Sequence, residues 1–332
     1  MKPFFVFLVL SINIFANPAW YHNVEKSKPQ VYIGYGSGVD EVHAKQEAFN
    51  DIASQISVSV STSLLQKQKL ENGKFTNSED FIASQDSKAT LYDYELIKTE
   101  FYKGKYFVAI EYENIPSFDK FINKLKTIQL KHLITNEKQN SYLKHTSMAK
   151  KLKKTLKKDI DFELLRKDKK WYIKYKTTLQ PLDKKDFTKF FNSVSNSKLM
   201  IETDKKGNIL YDKEKFFFKV KSTQNGYISI LSVYEDGTVS TLVKNIKVVK
   251  NKIQNIPDKD FESILQAGLM ASGVETYDLY IAIYSPKKTR FESFAHADEE
   301  LISEEKYKNF DELITFLESK IYTSLKVVTK PR

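Results

Sequence analysis

The chain has 332 residues, 41% of them hydrophobic and 29% charged, which excludes a disordered polymer and gives room for two domains of about 150 residues each. Its net charge of +11 is carried by lysine, since only Arg166, Arg290 and Arg332 are arginines; base readers and phosphate clamps lean on the bidentate arginine fork, so nucleic acid is not an expected partner. Cysteine is absent, so no thiol can carry a disulfide, a metal or a lipid, and the fold must be held by its core alone.

The first residues, "MKPFFVFLVLSINIFANPAW", place Lys2 ahead of an apolar run from Phe4 to Leu10 and reach Ala16 before Asn17 and Pro18. This is the layout of a secretory signal peptide over 1–16, cut after Ala16, and it falls short of the roughly 20 apolar residues that span a bilayer. The expected mature protein starts near Asn17 and is periplasmic, soluble and without a lipid anchor.

Next comes "VYIGYGSGVDEVHAKQEAFNDIASQISVSVS", with glycines at 34, 36 and 38 between an apolar run and a helical pattern. A dinucleotide loop needs a third glycine where Val39 or Glu41 stands, a Walker loop needs a Gly-Lys-Ser/Thr, and in a nucleophile elbow Ser37 would not be flanked directly by Gly36 and Gly38. The glycines are therefore expected to reverse the chain from strand to helix at low steric cost. Ser37 and Asp40 have capping-box spacing, Glu41 and Lys45 form an i,i+4 pair, and Ala48, Phe49, Ile52, Ala53 and Ile56 mark one buried helical face. Beyond them, "SVSVSTSLL" alternates Val58, Val60, Thr62 and Leu64 and predicts a half-buried strand.

"PAWYHN", "VYIGYGSG" and the Ala-rich "AKQEAFNDIASQISVSV" together resemble the N-terminal domain of the LPP-20 family, bacterial envelope proteins that are often outer-membrane lipoproteins. The resemblance covers residues 18 to about 115 and departs from the family in lacking the lipidated cysteine. Because flagellar disk proteins fall in this group, the resemblance implies a scaffold role. After a polar stretch at 66–87, "ATLYDYELIKTEFYKGKYFVAIEYE" predicts a hairpin, with Tyr92, Tyr94 and Leu96 before a turn near Lys103 and Gly104 and with Tyr106, Val108, Ile110 and Tyr112 after it.

Residues 116–158 switch to helical spacing: Phe118, Phe121, Ile122 and Leu125, then Leu143, Met148, Leu152 and Leu156, predict two amphipathic helices broken near Asn136, as a linker or hairpin. The lysines of "KKLKKTLKK" read as a solvated face, with contact to an anionic membrane surface as the sharper alternative. A β-rich region over 159–332 follows. It begins with a hairpin turning at Asp168, with Trp171 on the returning strand, and a short helix opened by Asp183. Strands are predicted in "KFFFKVKS", "GYISILSVYEDGTVSTLV" and "YDLYIAIYSP", with Asp236 and Gly237 at a hairpin whose two central residues would both take positive φ. Residues 214–286 resemble the DUF-4384 family, an envelope-associated β-domain, through Gly226, Tyr227, Asp236, Gly237, Asn245, Ile256, Pro257, Gly273 and Glu275, with Lys244 in place of the usual proline. Phe310, Leu313, Ile314, Phe316 and Leu317 form a helical stripe expected to cap this region.

The fold class expected is α+β: an N-terminal α+β sandwich over 17–115, a helical linker, and a mainly β domain with a terminal helix. No catalytic, cofactor-binding or metal-ligating residue emerges. His22, His43, His132, His145 and His296 lie in separate segments without metal-site spacing, and Asp298, Glu299 and Glu300 read as a solvated loop. The expected function is that of a non-enzymatic exported scaffold or assembly factor that meets other envelope proteins, flagellar or surface-structure components among them, through exposed sheet edges. A small-ligand or glycan-binding module is the alternative, and the oligomeric state stays open.

Overall fold

The computed structural model describes residues 17–27, 31–70, 94–127, 140–257, 265–296 and 307–332, with the side chains of 57–70 left out. The expected signal peptide, most of the polar stretch at 66–87, the break near Asn136 and the acids 298–300 lie outside the described residues. The fold is α+β, and the chain divides into two compact units, 1–115 and 116–332.

In the first unit, β1 (Val31–Gly38), α1 (Glu41–Leu70), β2 (Glu95–Tyr102) and β3 (Lys105–Glu113) form a three-stranded antiparallel sheet ordered β1-β3-β2, with α1 against one face. The core between them is Ala44, Ala48, Ile52, Val108 and Ile110. The helix begins where Asp40 accepts a hydrogen bond from the His43 amide at 2.8 Å, so Asp40 caps it and the Ser37–Asp40 box does not form. Glu41 pairs with Lys45 at 2.6 Å as its spacing predicts.

Two expectations are corrected here. Gly34, Gly36 and Gly38 are strand residues, not a reversal, and none has positive φ. A Cβ on Gly34 would lie 2.1 Å from the Ala48 carbonyl oxygen, and one on Gly36 would lie 2.0 Å from that of Ala44. The glycines face Ala44 and Ala48 and let helix and strand backbones come together where any side chain would hold them apart. Secondly, residues 58–64 belong to α1. A helix already nucleated adds one hydrogen bond per residue without a partner, whereas an alternating strand needs a neighbour, so the β-branched preference yields.

The predicted hairpin forms. Lys103 and Gly104 have φ of 46° and 83°, the pair of positive values that a tight two-residue connection between twisted strands requires. Opposite the helix, the sheet is covered by residues 20–27: the Tyr21 ring meets Tyr35 and Phe107 edge-on, Tyr35 Oη accepts from the Val24 amide at 2.9 Å, and Ser27 donates to Glu111.

The second unit opens with α2 (Ser117–Thr127) and α3 (Ser147–Leu156), whose apolar stripes, Phe118, Phe121, Ile122 and Leu125 with Met148, Leu152 and Leu156, lie in this unit's core. Lysines of "KKLKKTLKK" are on the solvent side, where Lys151 pairs with Asp119 and Lys153 with Asp159. Then β4 (Glu163–Lys167), β5 (Lys170–Tyr175) and β6 (Thr178–Leu182) make a meander. Its first turn has Asp168 and Lys169 at positive φ, and Asp183 caps α4 (Lys184–Phe187) through the Asp186 amide at 2.6 Å.

The remaining strands are β7 (Leu199–Thr203), β8 (Ile209–Tyr211), β9 (Lys215–Phe216), β10 (Phe218–Ser222), β11 (Gly226–Val233), β12 (Val239–Val248), β13 (Ile253–Ile256), β14 (Leu265–Gln266), β15 (Thr276–Ser285) and β16 (Ala295–His296). They are followed by α5 (Phe310–Phe316) and β17 (Ile321–Lys330). A six-stranded sheet, β16-β12-β11-β15-β17-β8, is buried on both faces. Leu231, Leu279 and Ile281 face α2, α3, α5 and the meander, while Ile230, Tyr280 and Ala282 face the sheet β13-β10-β7. Two-sided burial explains why β15 reads as an almost continuous apolar run.

The Asp236–Gly237 hairpin is present with a different turn. Only Gly237, at 82°, has positive φ; its amide donates to Tyr234 O at 2.8 Å and the Tyr234 amide to Thr238 O at 3.0 Å, a three-residue loop closed by a left-handed glycine. Gly237 also lies under Trp171, whose ring a Cβ would meet at 2.1 Å and whose Nε1 donates to Asp236 O at 2.8 Å.

Candidate functional site

The two edges of the N-terminal sheet differ. On β1 the outward-facing backbone groups are taken by a row of side chains one helical turn apart on α1. Gln55 Nε2 donates to Ile33 O at 2.8 Å, Asp51 Oδ2 accepts from the Tyr35 amide at 2.9 Å, and Glu47 Oε2 accepts from the Ser37 amide at 3.0 Å. The helix thus seals this edge.

No such seal reaches β2 among the described residues. Tyr102 and Lys105 flank the two-residue turn and are a hydrogen-bonded pair, so by alternation Glu100 and Lys98 also bond to β3 while Thr99 and Phe101 aim their N–H and C=O groups outward. A bulge between Leu96 and Lys98 leaves Leu96 and Ile97 adjacent, 41% and 39% exposed, and Phe101 is 60% exposed. On the opposite face Trp20 organises two charges: its Nε1 donates to Glu100 Oε2 at 2.5 Å, and the Lys98 ammonium sits 5.1 Å from its ring centre. An edge left unpaired among the described residues, exposed apolar side chains and two oriented opposite charges on one strand make β2 the candidate contact surface.

The second unit carries two further features. One is an open cleft of about 710 Å³, lined in part by Asp161, Phe162, Lys174, Asp311, Glu312 and Phe316; burial raises the Asp311 carboxyl above the usual carboxylate range. The other is a buried carboxylate pair. Glu235 accepts from the Tyr277 amide at 2.9 Å through one carboxylate oxygen, and its other oxygen forms an ion pair with Lys184 Nζ at 2.5 Å. Asp278, one residue further along β15, is pushed up to about 7 by burial and then by the charge of Glu235. Nearby, burial holds the Lys326 ammonium below the usual lysine range, 4.4 Å from the Tyr277 ring centre.

The histidines are dispersed in the structure. His22 packs on Tyr21 and Tyr35, His43 contacts Asp40 in the first turn of α1, and His145 ends a short 3₁₀ turn. His296 pairs through its backbone with Thr241, and His132 lies outside the described residues. Among the described residues no three His, Asp or Glu side chains gather where they could hold a metal ion, and no helix is long and apolar enough to cross a membrane.

The open edge is not legible in the sequence, because edge or centre is a property of the assembled sheet. One local signal is present: adjacent Leu96 and Ile97 break the alternation, so a regular strand could not bury both. Trp20 is visible as part of a motif, but its hold on Lys98 and Glu100 is not.

Comparison with known proteins gives the chain a partial placement. Residues 18–113 match the model of the LPP20 lipoprotein family, which covers the first unit and points to an envelope protein. The chain is similar to the secreted protein HP1454 of Helicobacter pylori, whose crystal structure it matches with 20% identity and a TM-score of 0.20 over 39% of this chain and 49% of that one. No curated protein matches the chain.

Proposed function

We propose that the protein is a non-enzymatic exported scaffold or assembly factor of the cell envelope, and that it works through protein–protein contacts made by the N-terminal sheet. The observation that carries this is the pairing of a sealed β1 edge with a β2 edge that is open among the described residues and bears Leu96, Ile97 and Phe101. Unprotected edge strands with apolar side chains recruit further strands, and soluble proteins ordinarily blunt them. In this reading the chain is periplasmic, is cleaved after Ala16 and carries no lipid; its partners are other envelope proteins, flagellar or surface-structure components included, and not nucleic acid. Residues 214–286 serve as a DUF-4384-like module, and the exposed lysines of α3 add weak attraction to anionic membrane.

The test is photo-crosslinking in cells through an unnatural residue at Phe101, with the same probe at Ser37 on the sealed edge as control. The expected result is a discrete protein adduct from position 101 and none from 37; equal labelling or no adduct counts against the proposal. The cleft of about 710 Å³ favours a second reading, a small-ligand or glycan-binding module. Titration calorimetry with envelope glycans separates the two: saturable heats lost on Lys174→Ala support the module, and their absence leaves the scaffold.

A further inference from the structure

We propose that β2 docks against β2 of a second copy of this chain, antiparallel about a two-fold axis through Thr99, joining two three-stranded sheets into one of six strands; the proposal rests on the protein-contact reading above. Strand geometry restricts the registers to those that pair outward-facing residues with each other, because on the regular part of the strand Thr99 and Phe101 aim their backbone groups away from β3 and have no partner among the described residues.

Charge then favours the register centred on Thr99 over those centred on its two neighbours. With Thr99 opposite Thr99 of the partner subunit, Lys98 of each copy lies opposite the partner's Glu100, so two opposite-charge pairs form at the close-spaced, non-hydrogen-bonded positions. A shift of one step toward the N-terminus sets Lys98 against the partner's Lys98, and a shift the other way sets Glu100 against the partner's Glu100. Both place like charges directly across the strands. The Thr99 register also brings Ile97 opposite the partner's Phe101, covering two of the exposed apolar residues of the edge.

Trp20 supports the same pairing. By holding Glu100 through its indole N–H and Lys98 against its ring, it fixes both charges on one face before a partner arrives and so lowers the entropy lost on association. The sealed β1 edge prevents the sheet from adding a strand on its other side, so assembly stops at a closed pair instead of running on as a filament.

The experiment is sedimentation of the full chain over a concentration series, with Lys98→Glu, the double variant Lys98→Glu/Glu100→Lys, and Thr99→Cys. The proposal expects a reversible dimer that Lys98→Glu weakens by about tenfold or more, equivalent to about 1.4 kcal/mol per decade, and that the double charge swap restores. Because the chain has no cysteine, Thr99→Cys is expected to give a single disulfide-linked dimer on mild oxidation. A monomer at every concentration overturns the proposal, as does a dimer that is indifferent to Lys98→Glu and leaves the thiols introduced by Thr99→Cys unlinked. If the cellular crosslink at Phe101 captures only a different protein, the second-copy inference fails while the scaffold reading stands; no cellular adduct at all, with an intact dimer, reverses those outcomes.

Discussion

The two units are held together by different means. In the first, a helix is drawn against a strand until backbone meets backbone, with Gly34 and Gly36 facing Ala44 and Ala48, and a row of polar side chains closes one edge. In the second, a broad sheet is sandwiched between two apolar layers, and its liability is a buried carboxylate pair instead of an open strand. Close approach leaves a small core and little tolerance for added atoms, whereas a two-sided core tolerates more and can bury a group that titrates.

The sharpest way to break this contrast is Gly36→Val. Its side chain would have to occupy space within 2.0 Å of the Ala44 carbonyl oxygen, so the helix must lift. The expected loss is about 3 kcal/mol or more, confined to the first unit, read as an early separate transition in thermal unfolding. In the second unit the corresponding probe is Asp278→Asn. The Asp278 carboxyl rises from 3.8 to about 7, so between those values the folded state keeps a proton that the unfolded chain has released, and stability falls as pH rises through that window. The asparagine variant is expected to remove this slope, gaining up to about 4 kcal/mol above pH 7 and little near pH 4. Denaturant titrations at the two pH values check it, and a pH-independent difference argues against buried ionisation.

A smaller effect is expected on the sealed edge. Asp51→Ala leaves the Tyr35 amide without its 2.9 Å partner and should cost about 1–3 kcal/mol while opening β1 to a second strand, so the variant should also associate beyond a dimer on sizing. The mildest is Gly104→Ala. A Cβ there meets nothing within 4 Å, and only the positive φ of 83° resists it, at about 1 kcal/mol by chemical denaturation. Gly36 and Gly104 thus separate the two uses of glycine, space in one place and conformation in the other.

What can be foreseen in the sequence follows the same division. Lys103–Gly104 and the turn at Asp168 are local chemistry and are legible, as are the stripes of α2, α3 and α5. The hairpin at Asp236 is legible too, but its type depends on Trp171, 66 positions from Gly237 and unseen until the fold closes. The strand glycines mislead because their reason lies across the layer, at Ala44 and Ala48. Strand β17 carries a strand's alternation, Leu325 and Val327 against Ser324 and Lys326, but its place beside β15 is set only by the assembled sheet. The contact edge is the least legible part, since nothing in "ELIKTEFY" says that one side will lack a neighbour.

Amide hydrogen exchange, followed residue by residue at low and high protein concentration, tests the central asymmetry most directly. The account predicts that Tyr35 and Ser37 are protected at both concentrations, while Thr99 and Phe101 exchange freely when dilute and slow down as concentration rises. Protection of Thr99 and Phe101 equal to that of Tyr35 in dilute solution, or free exchange at Tyr35 and Ser37, would contradict it.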